Sequence, residues 1–206
     1  MRAALLMLLV GVGCCWSDQS VLARGKHNPT LGIGDQVPAF QDLPGTDGEQ
    51  HSLADFKKAK VLVVVFTCNS CPYAVDYEDR LVAFHDKYSP DGNVALVAIN
   101  CNLVPQDSLE KMTQRAKDKG FNFPYLFDKS QQVPRQFGAL RTPECFVLDR
   151  ERKIVYMGAF DDSPNADEVE QKYVETAVQD ALQGKSPAVT ETLPVGCMIR
   201  FKPKRD

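Results

Sequence analysis

Histidine and tryptophan are scarce in this chain of 206 residues, with three copies and one. None of His27, His51 and His85 stands beside a cysteine at ligand spacing, which argues against a zinc centre built on the usual Cys and His pairs. Basic residues are not in excess either. The formal charge of −3 gives no electrostatic footprint for nucleic acid. Internal repeats and low-complexity tracts are missing, and no apolar run approaches the ~20 residues that span a membrane. What remains, 44% hydrophobic and 25% charged, is an ordinary soluble composition, at a length suited to one domain with a proper core.

The N-terminus differs from the rest. "MRAALLMLLVGVGCCWS" has an early Arg2, an apolar run of about eight residues and then small residues, the layout of a secretory signal. Residues 1–17 are therefore expected to be a leader and 18–32 a linker. Membrane attachment is expected only through retention of that leader or a lipid on Cys14. An extracytoplasmic location, periplasmic or secreted, follows. Of seven cysteines the leader takes Cys14 and Cys15, leaving Cys68, Cys71, Cys101, Cys145 and Cys197 in an oxidising compartment. These are too few for a stapling framework, and their odd number leaves at least one without an internal partner.

Along the remaining chain the hydrophobic period alternates between strand and helix. A short hairpin with its turn at Asp47-Gly48 precedes "VLVVVF", a β-branched run that reads as a central strand. Ala74, Tyr77, Leu81, Phe84 and Tyr88 then fall on one helical face. "NVALVAIN" and "FPYLFD" are further strands, separated by a helix that Ser108 begins and Gly120 ends. "SQQVPRQFG" reads as a short helix interrupted by Pro134. "ECFVLD" and "IVYMGAF" form an antiparallel hairpin, and "ADEVEQKYVETAVQDALQG" a last helix. The fold class is α/β, with a largely parallel sheet centre and an antiparallel edge.

In such a sheet, chemistry collects at the carboxyl ends of the central strands. "TCNSC" stands there, at the strand-to-helix junction, and thiols in C-x-x-C motifs at helix starts have lowered pKa values. The expected chemistry is thiol–disulfide exchange, with Cys68, the more exposed, attacking and Cys71 resolving. The acidic Asp76, Glu78 and Asp79 are expected to be screened at the surface. A zinc site with Cys101 and Cys145 and an inert disulfide are the alternatives for the pair. Cys101, ending the neighbouring strand, is an auxiliary thiol if it shares the sheet edge with the pair, and otherwise a small core residue. Cys145 reads as core, Cys197 as an unpaired thiol on a C-terminal segment, His85 as a surface residue, and Asp161-Asp162 as a turn.

The strand leading into C-x-x-C-P, the Thr142-Pro143 pair and the closing β-β-α resemble the thioredoxin fold. The longer pattern "IGDQVPAF", "VVVFTCNSCP" and "FPYLFDKSQQVPRQFGALRTPECFVLDRERKIVYMGAF" resembles its redoxin branch, the alkyl hydroperoxide reductase/thiol-specific antioxidant type, over residues 33–201. That resemblance implies a central mixed sheet flanked by helices, with an N-terminal β-hairpin and a strand-helix inserted before the cis-proline. It implies a redoxin domain over 33–184, an extension over 185–206 packing on it, and an enzyme with Cys68 as nucleophile and Cys71 as resolving thiol. Pro143 becomes the cis-proline, and Thr142 supplies backbone to an extended substrate. No cofactor and no metal are implied; the partners are dithiol or disulfide proteins, and the chain is a monomer. Departures are the Asn69-Ser70 dipeptide, the lack of a Trp before Cys68, and Leu62 where thioredoxin keeps a buried acid. The rival readings are a peroxide-reducing antioxidant, against which stands the missing P-x-x-x-[TS]-x-x-C pattern, and a non-catalytic metal- or partner-binding module.

Overall fold

The structure, a computed structural model, describes residues 24–203. The expected leader and the last three residues lie outside that range. The hairpin β1 (Leu43–Pro44) and β2 (Gln50–His51) leads to β3 (Val61–Phe66), every residue of which is buried. β3 is buried on both faces because its side chains alternate. Leu62, Val64 and Phe66 join one core cluster, whereas Val61, Val63 and Val65 join another. Each such side chain contributes about 1.5–3 kcal/mol of burial, so this strand anchors both layers.

Helix α1 (Pro72–Asp76) and helix α2 (Glu78–Tyr88) follow. The sequence predicted one continuous helix here, but the structure divides it at Tyr77. The Tyr77 ring is drawn into the core, edge-on to Phe160, and its hydroxyl donates to Asp161 at 2.9 Å. Strand β4 (Val94–Asn100) runs parallel to β3. Helix α3 (Leu109–Lys119) begins and ends as its sequence dictates: Ser108 accepts the Lys111 N–H, and Gly120 takes the left-handed conformation.

Strand β5 (Tyr125–Phe127) is parallel to β4, and α4 (Gln132–Phe137) carries Pro134 in its first turn. A proline there breaks no helical hydrogen bond, so Pro134 does not interrupt the helix as predicted. The short strand β6 (Arg141–Thr142) precedes β7 (Glu144–Leu148) and β8 (Ile154–Gly158). Helix α5 covers only Tyr173–Leu182. The stretch before it forms a single 3-10 turn at Ala166–Glu168 and is tied down by Asp162, which accepts the Glu170 N–H and donates its own N–H to the Gln171 carbonyl.

The main sheet has the order β5-β4-β3-β7-β8, with β3, β4 and β5 parallel and β7 and β8 antiparallel to their neighbours. This mixed five-strand sheet with helices against it is a thioredoxin-like fold. Within the stretch expected as a linker, Asn28 is buried and donates to the Phe137 carbonyl at 2.8 Å. No described helix is long and apolar enough to cross a membrane.

The chain after α5 returns along two surfaces. Thr190 and Thr192 bond to Met157 on β8, and the Thr192 hydroxyl accepts the Ala159 N–H at 2.9 Å. Further on, Ile199 is buried, Arg200 and Lys202 bond to Asn102 and Gln131, and Arg135 lies over the Phe201 ring. Between these anchors lies β9 (Cys197–Met198), paired antiparallel with β6.

Candidate redox site

The carboxyl end of β3 delivers Thr67 and Cys68 into a non-helical turn, and Cys71 is the N-cap of α1. The two cysteines pack against each other in one small cluster with Ala74. Across from them the Thr142–Pro143 peptide bond is cis. The Thr142 hydroxyl is 3.4 Å from the Cys68 sulfur, and its carbonyl is 3.1 Å from that of Cys71. The four residues singled out from sequence thus meet at one point.

Both members of the pair are buried, Cys68 at 2% accessible and Cys71 at 1%. The amides of the turn are also occupied. Asp107, fully buried, accepts the N–H of Asn69 at 2.7 Å, the N–H of Ser70 at 3.2 Å and the Ser70 hydroxyl at 2.5 Å. Asn100 donates to the same carboxylate at 3.2 Å, and Tyr125 ties Asn69 into the network. Amides that would have steadied a Cys68 thiolate hold a carboxylate instead.

The pair shares its first ionisation unequally. The hydrogen bond to Cys71 pushes the Cys68 thiol up, helped by burial and by the negative charge of Asp107. The same bond draws the Cys71 thiol down against burial, aided by the Cys197 side chain and the Ala74 N–H at the start of α1. These influences draw the thiolate toward Cys71, while the Thr142 and Ser70 hydroxyls beside the Cys68 sulfur act the other way. The sequence reading assigns the attack to Cys68, whereas α1 begins at Pro72 and so has Cys71 rather than Cys68 at its N-cap.

Cys101 packs in the cluster with Leu62, Val64 and Phe66, and burial pushes its thiol up. Cys145 is fully buried in β7 within the other cluster. The cysteine that does pack against Cys68 and Cys71 is Cys197. It pairs with Thr142 in the register of β6 and β9, and Gly196 lies so close that a Cβ would come 2.0 Å from the Thr142 carbonyl. The edge expected to receive an extended substrate is thus occupied by the protein's own chain. Among the described residues, no three of His, Cys, Asp and Glu gather to hold a metal ion.

Sequence reasoning passed over Asp107 and the placement of Cys197. Asp107 could have been found from its position, since the loop after β4 opens on the same sheet edge as the pair. The acidic trio is also not simply screened. Glu78 is buried and accepts from Arg115 Nη2 at 2.9 Å, and the turn residue Asp161 is buried against Arg80 at 2.6 Å. His85 is half-buried beside Phe123.

Glu144, next to Pro143, is the second buried acid at this edge and accepts the Leu140 and Arg141 N–H groups. Burial pushes its carboxyl up from 4.5 to about 7. The folded state then binds a proton that the unfolded state has released, so stability falls as pH rises from about 4.5 to about 7. The expected loss from this group is roughly 3 kcal/mol, at 1.36 kcal/mol per pKa unit. Glu144→Gln keeps an oxygen for both amides and should flatten that part of the profile in urea unfolding between pH 4 and pH 8. An undiminished slope in the variant would assign the pH dependence to other groups.

A dithiol at a strand-to-helix junction, opposite a cis X-Pro bond on a mixed five-strand sheet, defines an oxidoreductase of the thioredoxin-like type. The redoxin family model matches residues 33–175, and the chain belongs to that family. It is similar to a hypothetical protein from Sinorhizobium meliloti 1021, whose crystal structure gives a TM-score of 0.79 at 36% identity, with 86% of this chain and 98% of that one covered. It is also similar to thiol-disulfide oxidoreductase ResA of Geobacillus thermodenitrificans, 25% identical over 157 residues, which are 75% of this chain and 83% of ResA. Peroxiredoxin Bcp of Escherichia coli K12 is 34% identical over 111 residues, 54% of this chain and 66% of Bcp.

Proposed function

We propose that the chain is an exported thiol–disulfide oxidoreductase that exchanges disulfides with protein partners through Cys68 and Cys71, with Thr142 and Pro143 forming the docking edge. The observation that carries this reading is the packed Cys68 and Cys71 pair beside the Thr142 hydroxyl and carbonyl. Export rests on the leader-like residues 1–17; the linker, the redoxin domain over 33–184 and the extension over 185–206 complete the organisation, in a monomer.

In the reducing direction the Cys71 thiolate attacks a substrate disulfide. A Cys71–substrate bond forms, and the first substrate sulfur leaves and takes a proton. Cys68, as its thiolate, then attacks the Cys71 sulfur, closing Cys68–Cys71 and releasing the second substrate thiol. Two electrons have passed to the substrate, and an external dithiol restores the pair. Because both sulfurs are buried, a visiting chain must part β9 from β6 to reach them.

The test is insulin reduction with dithiothreitol, with and without the protein. Acceleration of turbidity is expected, and a rate equal to that of dithiothreitol alone would reject the reading. Peroxide reduction is the second reading, favoured by the depressed Cys71 thiol and the likeness to a peroxiredoxin. Turnover of hydrogen peroxide coupled to thiol consumption, without insulin reduction, would replace the first reading with it.

A further inference from the structure

We propose that Cys197 is a third exchanging thiol, carried by the C-terminal strand as an internal substrate, which takes the disulfide from Cys68–Cys71 to form Cys71–Cys197. The inference rests on the dithiol reading above and adds a residue to it.

Three observations support it. Cys197 packs against the cluster formed by Cys68, Cys71 and Ala74. Its strand pairs with Arg141 and Thr142, immediately before the cis-proline, where an extended substrate is expected to dock. The segment is also fastened on both sides, at Thr192 and Ile199, while the side chains of Leu193, Val195 and Met198 between them are 60%, 49% and 57% exposed and Pro194 is buried. A passive tail needs only its anchors. This one brings a sulfur onto another sulfur, and Arg141 fixes the approach by donating to the Gly196 carbonyl at 2.7 Å.

The step moves no net electrons. With the pair oxidised, the Cys197 thiolate attacks the Cys71 sulfur; Cys71–Cys197 forms, Cys68–Cys71 breaks, and the electron pair leaves on Cys68. The proton given up by Cys197 ends on Cys68. While Cys71 is an anion, burial and the neighbouring Cys71 charge push the Cys197 thiol up. Oxidation removes that anion and leaves Arg200 and Arg141, whose charges favour ionisation of Cys197. The third thiol is thereby armed only after the first two have reacted.

The experiment oxidises reduced protein with oxidised glutathione, quenches in acid, alkylates and maps disulfides by mass. In Cys68→Ser, glutathione joins Cys71 and is then displaced by Cys197, so the expected main product is a Cys71–Cys197 peptide. Wild type held in a glutathione buffer should contain both Cys68–Cys71 and Cys71–Cys197, and needs no substitution that could disturb folding. Cys71 recovered only as a glutathione adduct in Cys68→Ser, with Cys197 free there and in wild type, overturns the proposal. Cys197→Ser separates the two readings. If it closes Cys68–Cys71 normally while Cys71–Cys197 is never found, the relay falls and the dithiol reading stands. If Cys68–Cys71 forms in neither wild type nor Cys197→Ser, the dithiol reading falls with it.

Discussion

Cys71→Ser is expected to bring insulin reduction down to the rate of dithiothreitol alone. It removes the sulfur proposed to attack, and burial and the charge of Asp107 both push the surviving Cys68 thiol up. Since only the thiolate attacks a disulfide, a thiol kept protonated at neutral pH contributes almost nothing. Cys68→Ser should turn over more slowly than wild type, for a different reason: attack still occurs, but the Cys71–substrate bond has lost Cys68 as its resolving thiol and is left to Cys197. The two variants therefore differ in what accumulates. Incubated with a disulfide substrate, Cys68→Ser should be recovered with Cys71 covalently occupied, whereas Cys71→Ser should be recovered with Cys68 free. Covalent occupation of Cys68 in Cys71→Ser, with an unmodified Cys71 in Cys68→Ser, would restore the order of attack read from the sequence.

Asp107→Ala is expected to be the most disruptive change near the site. The buried carboxylate receives two backbone amides and a hydroxyl from the part-buried Asn69 and Ser70, and the buried Asn100 amide. Each buried donor left without a partner costs about 1–3 kcal/mol, so a total of about 3–5 kcal/mol is expected, with water replacing part of the network. That is a large share of the ~5–15 kcal/mol that keeps a domain folded. Urea unfolding measures it, and a loss below 1 kcal/mol would mean that the turn holds its shape without the carboxylate. Asp107→Asn isolates the charge. It removes a negative neighbour of Cys68, which makes the pair easier to ionise, so the pH profile of iodoacetamide labelling should move to lower pH. A shift to higher pH, or none, would show that the Asp107 charge does not bear on the sulfurs.

How much was legible in the sequence depended on whether a signal was local. β3 announced itself because six consecutive apolar residues have no other place than between two core layers. Ser108 and Gly120 fixed the ends of α3 because caps act within one turn. The meeting of the cysteines with Thr142 and Pro143 was readable through the family pattern rather than through any periodicity.

What stayed hidden was set by partners far away in the chain. The amides of Asn69 and Ser70 answer to a carboxylate 37–38 residues on. The division of one helix into two at Tyr77 follows from a hydroxyl bond to Asp161, 84 residues on. The polarity of the sulfur pair followed the same rule: motif spacing says that two thiols can meet, but the charges and donors that rank them come from other elements.

The tail, pinned at Thr192 and again from Ile199 onward, fixes the company that the sulfurs keep. Even a flexibly tethered group reaches an effective concentration of about millimolar, and a docked one exceeds it. A small free thiol must therefore outnumber an occupant that never diffuses away, while a protein partner need only offer enough contact to lift it. Selectivity for large visitors over small ones is in that sense a matter of local crowding, written into the last turns of the chain rather than into the motif.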